Sequence, residues 1–368
     1  MHTKEDDMKT GTIQPGSQYL AGKKRKILLM FSLLVLLILT SIYALNAGSY
    51  HLPFDRIVTI LYQAVADPGL LESAQSEKIV VIDFRMPRVL LAILTGVSLA
   101  VAGCVMQALL RNPLVSPFTL GLSSAASFGA AMAIVFGASL LPFIPAEFQN
   151  YVIILCAFFL GWLSILLIYA ISRMKGSSSA TLILAGVVIG YIFTAGVMIL
   201  KYLTNDEKLR EITLWLMGGM WGANWGSVVI VAPIALLCFL YLESLAWDLN
   251  SLSAGDDVAK NLGVNVNRLR MTGLFVSTLA ASACLAFTGI IGFIGLMGPH
   301  IGRMLIGNDN RYLIPCSALI GALILLISDT AARTVMDPIE IPVGVIMYVI
   351  GGIFFMFLIL RGKHRVIT

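Results

Sequence analysis

Residues able to do chemistry are few in this sequence, and their spacing matches no catalytic or metal-binding motif. There is no Gly-x-x-x-x-Gly-Lys-Ser/Thr loop to hold a nucleotide phosphate, and neither an HExxH nor a GxSxG motif occurs. We therefore expect no bond chemistry, no metal and no cofactor in this chain. The cysteines lie within apolar runs without metal-ligand spacing and predict no disulfide: Cys104, Cys156, Cys238, Cys284 and Cys316.

The ionisable residues inside apolar segments are also scarce. Asp329 is the main acidic residue within such a segment, and we expect His300, beside Pro299, to be satisfied by a local backbone group. A carrier driven by protons or sodium usually needs ionisable groups or unwound ion sites near the middle of the membrane. Their scarcity disfavours such a carrier, so energy for transport would have to come from another subunit.

Composition places the chain in a membrane. Of its 368 residues 58% are hydrophobic and only 12% are charged, whereas a soluble domain carries about 25% charged residues. The apolar runs are long and continuous, which favours helices over a closed barrel. The net charge of +5 does not indicate nucleic acid, because the basic residues lie at the ends of the apolar runs.

The sequence predicts an all-α polytopic fold with about ten membrane-spanning helices. Each predicted span is close to the roughly 20 residues that a bilayer requires. The predicted spans are 27–45, 88–109, 114–137, 149–171, 179–202, 225–246, 270–289, 290–306, 312–332 and 340–360.

The N-terminal residues 1–22 are polar and predict a disordered cytoplasmic tail, followed by a transmembrane domain over residues 23–368. The basic run 23–26 and the apolar run 27–45 predict a retained first span, since the apolar run is too long for a signal peptide. Cytoplasmic termini place most of the 25 Lys and Arg residues on the inner side, as the positive-inside rule expects.

The loop 248–270 is the largest predicted cytoplasmic segment. Ser253 with Asp256 resembles a helix N-cap, and Gly263 a C-terminal stop, so we predict a helix of two to three turns between them. So short a helix is marginal in water, and a docking partner would stabilise it. A solvated loop is the alternative. The candidate apolar contacts are Val258, Ala259 and Leu262.

Several segments, in their order along the chain, resemble the permeases of vitamin B12 and iron-siderophore importers. The resemblance covers nearly all of the chain after residue 80 and is specific for the family rather than for the cargo. The matching segments are Arg85–Val89, Val101–Leu114, Gly186 within Leu-Ala-Gly-Val, Trp215–Gly219, Ala254–Val264, Gly289–Arg303 and Glu340–Gly344.

The resemblance implies a membrane subunit of a large ATP-binding-cassette importer in a bacterial cell membrane. Such a permease pairs with a second permease, identical or paralogous, and with two ATPase subunits that bind ATP and magnesium. An extracellular binding protein delivers the substrate. Ferric siderophore is favoured because it is the commonest cargo in the family; cobalamin or haem remains an alternative, and an ion-coupled carrier is less favoured.

The resemblance also implies roles for particular residues. Arg85, Arg88 and Arg333, at the predicted outer helix ends, would receive acidic residues of the binding protein, with Arg88 partly structural; interfacial snorkelling is the alternative. Gly186, Gly190 and Thr194 form a stripe typical of close helix packing, on a span that also lines the path between the two permeases. The residues expected to contact the ATPase are Gly255, Asp256, Ala259, Leu262 and Gly263.

Overall fold

Every regular element is helical in the computed structural model, which describes residues 15–48, 50, 52–66, 75–140, 145, 148–174 and 178–361. A π-helical segment, Ile79–Arg85, joins α3 to α4. The α-helices are α1 Pro15–Asn46, α2 Phe54–Ala66, α3 Gln75–Lys78, α4 Met86–Leu110, α5 Leu122–Leu140, α6 Gln149–Met174, α7 Ser179–Leu203, α8 Asp206–Met217, α9 Trp225–Ser244, α10 Ala246–Ser253, α11 Asp256–Asn261, α12 Val266–Thr288, α13 Ile294–Ile306, α14 Asn310–Thr334 and α15 Val343–Arg361.

The predicted all-α membrane fold is confirmed. Among the described residues, eight helical stretches are long and apolar enough to cross a membrane, and α5 contributes a shorter apolar stretch, Leu122–Gly137. Each of the ten predicted spans corresponds to a separate helix, although the sixth also includes the first residue of α10. The helices fall shortest of the prediction at α5, because the chain between Arg111 and Gly121 forms turns before it begins, and at α13, which has only 13 residues. Helix α1 instead begins earlier than predicted, at Pro15.

The centre of the bundle is built from α4, α12, α13 and α14. The most apolar windows of α4 and α14 are each 78% buried within the chain, whereas that of α1 is 11% buried. Glycines allow the close approach: a Cβ on Gly96 would meet the backbone of Gly321, and one on Gly103 would meet Gly295. Small residues at such crossings let helix backbones pack closely where no water drives association.

The chain between α12 and α13 is not helical and lies inside the protein. Gly289 and Phe293 both have a φ of 65°, and the amide of Gly219 donates to the carbonyl of Thr288 at 2.8 Å. The amide of Gly344 in turn donates to the carbonyl of Gly218 at 3.2 Å. Non-helical backbone is tolerated at membrane depth only where it is buried in protein or lines a water-filled cavity, and here it is buried. Three of the segments that carry the family resemblance therefore meet at this one junction.

The predicted tail falls mostly outside the described residues. Residues 1–14 are not described, and α1 begins at Pro15, within the segment predicted as tail. The limits proposed for the tail and the transmembrane domain stay predictions.

Candidate functional site

A buried ionic cluster lies at one end of the bundle. We call this end of the bundle the arginine end. Arg88 donates from Nε and Nη2 to the Asp329 carboxylate at 3.0–3.2 Å, and from Nη1 to Glu340 at 2.9–3.0 Å. Arg333 Nε lies 3.4 Å from Asp329 Oδ2, an ion-pair contact without hydrogen-bond geometry. Asp329 is 0% exposed, so two guanidinium groups compensate one buried carboxylate.

Arg85 and Arg333 also hold the end of α1. The last carbonyls of a helix have no partner within it, and these two guanidinium groups donate to that stretch of backbone at 2.6–3.2 Å. Both arginines are only 6% exposed. The accepting carbonyls belong to Ala44, Leu45, Asn46, Ala47 and Tyr50.

The three predicted docking arginines thus line one cavity, of about 440 Å³, and none extends freely into solvent. Arg88 and Arg333 pair with the carboxylates of Asp329 and Glu340, while Arg85 donates to backbone carbonyls, so these five side chains carry one net positive charge. Arg88, with 14% of its side chain exposed, is the arginine most open to the cavity. The structural role that the sequence suggested for Arg88 applies to Arg85 and Arg333 as well.

The opposite end of the bundle carries the predicted coupling loop, which forms two helices rather than one. Arg88 and Leu109 are 21 residues apart on α4, about 32 Å at 1.5 Å per residue. The predicted N-cap is wrong: Ser253 is the last residue of α10, and its hydroxyl donates to the carbonyl of Asn250 at 2.6 Å. Gly255, with a φ of 121°, precedes α11 instead. The predicted stop is confirmed, because Gly263 follows α11 with a φ of 87°.

The predicted coupling residues divide into a supporting set and an exposed tip. Ala259 is 0% exposed, so it packs α11 onto the chain and does not lie on the free surface. Asp256 is paired with Arg270 at 2.9 Å. Val258 and Leu262 are 45% and 66% exposed, and they give the tip its apolar surface.

The small-residue stripe of α7 faces the inside of the chain. A Cβ on Gly186 would lie 2.9 Å from the Cα of Leu120, and the Thr194 hydroxyl lies 3.1 Å from that of Ser124. These contacts make the stripe a packing surface. A different face of α7 is exposed and apolar, with large side chains at Leu184, Val187, Val188, Tyr191, Ile192, Met198 and Tyr202.

Two polar ties near the α10–α11 end were not identified from the sequence. Asn250 donates to Asp309 at 2.8 Å and accepts from the amide of Asn310 at 2.8 Å, joining α10 to the start of α14. The hydrogen bond from Arg311, with help from Asn250, lowers the pKa of Asp309 to about 2. Arg270 makes the second tie, through its pair with Asp256. The sequence signal available for it was its position: a cation near the N-terminus of a helix, here α12, opposes the helix dipole.

Another polar contact lies between α4 and α13. Arg303 donates to the side-chain carbonyl of Gln107, whose amide donates to the carbonyl of Gly295 at 3.1 Å. His300 Nδ1 lies 3.0 Å from the carbonyl of Leu296. This contact matches the local backbone partner expected for His300.

Comparison with known proteins gives a consistent assignment. A model of the FecCD transport family matches residues 34–361. The chain is 38% identical to the permease protein of an Fe(3+)-citrate import system of Bacillus subtilis, over 92% of this chain and 96% of that protein. It is 37% identical to the permease protein of a hemin transport system of Yersinia pestis (94% and 98% covered). It is 35% identical to the permease protein of a molybdate import system of Haemophilus influenzae (91% and 96% covered). A solved inward-facing metal-chelate type ABC transporter matches with a TM-score of 0.78 and 33% identity, over 90% of this chain and 99% of that chain.

Proposed function

The chain belongs to the FecCD transport family, and from this membership we propose that it is the membrane-spanning permease subunit of an ATP-binding-cassette importer for an iron(III)–siderophore. It carries no nucleotide-binding loop of its own, so the ATP and magnesium would be bound by two partner ATPase subunits. A second permease, identical or paralogous, completes the membrane part, and the exposed apolar face of α7 is a candidate for the path between the two.

The observation that carries the coupling assignment is the exposed apolar tip of α11. This helix has six residues, too few to be stable alone in water, yet Val258 within it and Leu262 directly after it are exposed to solvent. The arrangement suits a helix that docks into a groove of an ATPase subunit. Both termini then lie on the ATPase side, which is the cytoplasm.

Docking of the extracellular binding protein is assigned to the arginine end. The net positive cluster around the cavity suits the approach of acidic side chains, which steer encounter and orientation more than they add affinity. Arg88 is the arginine of the set best placed for direct contact with the binding protein, while Arg85 and Arg333 hold the edge of the cavity in place by fixing the end of α1.

The choice of an iron chelate is supported by the Fe(3+)-citrate relative, whereas the hemin and molybdate relatives represent other cargos. A strain lacking the importer, complemented with it, is supplied with radiolabelled ferric siderophore, ferric citrate, haem, cobalamin or molybdate. Accumulation of a ferric siderophore supports the cargo. Selective accumulation of one of the other compounds overturns the siderophore assignment while leaving the importer intact.

The importer assignment is tested by isolating an affinity-tagged chain in mild detergent with its operon partners. An ATPase subunit should co-purify, and Leu262→Asp should release it, whereas Leu262→Met, which keeps the tip apolar, should not. A chain that purifies alone, with uptake that survives ATP depletion and collapses with a protonophore, would show an ion-coupled carrier instead.

A further inference from the structure

Arg270 joins three helices through a single guanidinium group. It lies in the first turns of α12, with 9% of its side chain exposed. Its Nε donates to the carbonyl of Leu109 at 3.3 Å, and its two terminal nitrogens lie 2.9 Å from the two carboxylate oxygens of Asp256. Leu109 is in the last turn of α4, and Asp256 is the first residue of α11.

Both contacts are of a kind that fixes geometry. The Leu109 carbonyl is one of the last four of α4, which find no partner within that helix. A guanidinium that meets both oxygens of a carboxylate fixes direction as well as distance. The charge of Asp256 is favourable at the N-terminus of α11, where Gly255 offers no side-chain cap.

Helix α11 has few other attachments to the bundle. It is six residues long, its buried residue is Ala259, and its tip points into solvent. By contrast, α10 is tied to the start of α14 through Asn250. Loss of the Arg270–Asp256 pair would therefore free α11 while α10 stayed attached.

The other end of α4 reaches the arginine end, and between the two ends α4 packs on α13 through Gly103 and Gly295. A displacement of α11 can pass along a rigid element only if α11 is held to it in one orientation. On the basis of the proposed importer function, we propose that Arg270 is a positioning residue that locks α11 to α4 and α12, so that movement of the ATPase is transmitted to the transmembrane core.

The test uses the complete importer, reconstituted in proteoliposomes with its ATPase and binding protein. Arg270→Gln is compared with Arg268→Gln, which removes an exposed arginine two residues earlier on the same helix. We expect Arg270→Gln to keep the ATPase bound but to lower the substrate imported per ATP hydrolysed by roughly tenfold, the order expected for lost charged hydrogen bonds. Arg270→Lys, which keeps the charge but not the fork, should fall between, and Arg268→Gln should match wild type.

Hydrogen exchange of the same importers separates this role from general destabilisation. Exchange over residues 256–262 should accelerate in Arg270→Gln, while exchange over 246–253 should stay unchanged. If Arg270→Gln fails to fold, Asp256→Asn replaces it, because that change breaks the same pair at a more exposed carboxylate and leaves the bond to Leu109.

An unchanged ratio of transport to ATP hydrolysis in the folded variant would overturn the positioning role. So would faster exchange spread over all helices, which would indicate a structural role only. A wild-type importer that shows no ATP-dependent uptake would refute the proposed function instead, so the two failures are distinguishable.

Discussion

Replacing Asp329 by Asn should be the most damaging conservative change at the arginine end. The carboxylate is 0% exposed, and it compensates Arg88 at 3.0–3.2 Å and Arg333 at 3.4 Å. An amide of the same size keeps the packing but removes the charge. Breaking a buried ion pair from one side costs about 3–5 kcal/mol, because the remaining charge is left uncompensated.

Glu340→Gln is the matched control. Glu340 also pairs with Arg88, at 2.9 Å, but its side chain is 38% exposed. Water can replace it, so we expect a cost of no more than about 1 kcal/mol. The measurement is the free energy of unfolding of the purified chain, from denaturant titration in mixed micelles.

A third variant tests the charge argument itself. Adding Arg88→Met to Asp329→Asn removes one of the two guanidinium groups that lost the buried carboxylate. Arg88 would keep only Glu340, whose side chain is 38% exposed and can be solvated by water in its place, so the double variant should be more stable than Asp329→Asn alone. Equal costs for Asp329→Asn and Glu340→Gln, or further loss of stability in the double variant, would refute the reasoning.

Three further outcomes are expected. Gly344→Ala should destabilise the chain by about 1–3 kcal/mol in the same titration, because its Cβ would meet the carbonyl oxygens of Met217 and Ile290. The control is Gly352→Ala on the same helix, which should cost no stability because a Cβ there meets nothing within 4 Å. Gly263→Ala should lower uptake per ATP hydrolysed less than Leu262→Asp does. At Gly263 the change only strains a backbone with a φ of 87°, whereas Leu262 supplies the exposed apolar contact. A larger loss of uptake per ATP for Gly263→Ala would contradict this. Arg311 holds the pKa of Asp309 at about 2. A depressed carboxyl pKa gives stability that is present above the pKa of the unfolded state and is lost as the pH falls through the pKa of the folded state. The stability difference between wild type and Asp309→Asn should therefore be constant from about pH 5 to 8 and shrink below about pH 4; a change between pH 5 and 8 would count against this role of Asp309.

The helices themselves were predictable because hydropathy and length act locally. A lipid environment imposes the same requirement on each spanning segment: enough apolar residues, and every backbone group paired within the helix. The prediction was least accurate where the chain departs from that requirement, before α5 and at the half-length α13. There the surrounding protein, not lipid, decides the conformation.

The coupling segment shows the same division at the scale of a few residues. Gly263 was predictable as a stop, since a residue of positive φ favours glycine. The role of Ser253 was not predictable, because its hydroxyl can either cap the helix that follows or donate back into the helix that precedes it. In the structure it donates back into α10. Which way Ala259 points depends on how α11 lies against the bundle, and a six-residue helix has no periodicity long enough to reveal it.

By itself the sequence determined the membrane class, the order of the helices and, through its shared motifs, the family. Only the tertiary structure decided which charged side chains are paired and buried and which remain exposed. Arg88 and Asp329 are 241 residues apart in sequence, as Arg270 and Leu109 are 161 apart, and nothing local to an arginine tells whether a distant carboxylate or helix end will neutralise it. Burial and pairing of charge are properties of the packed bundle, because the free energy of an ion depends on all that surrounds it.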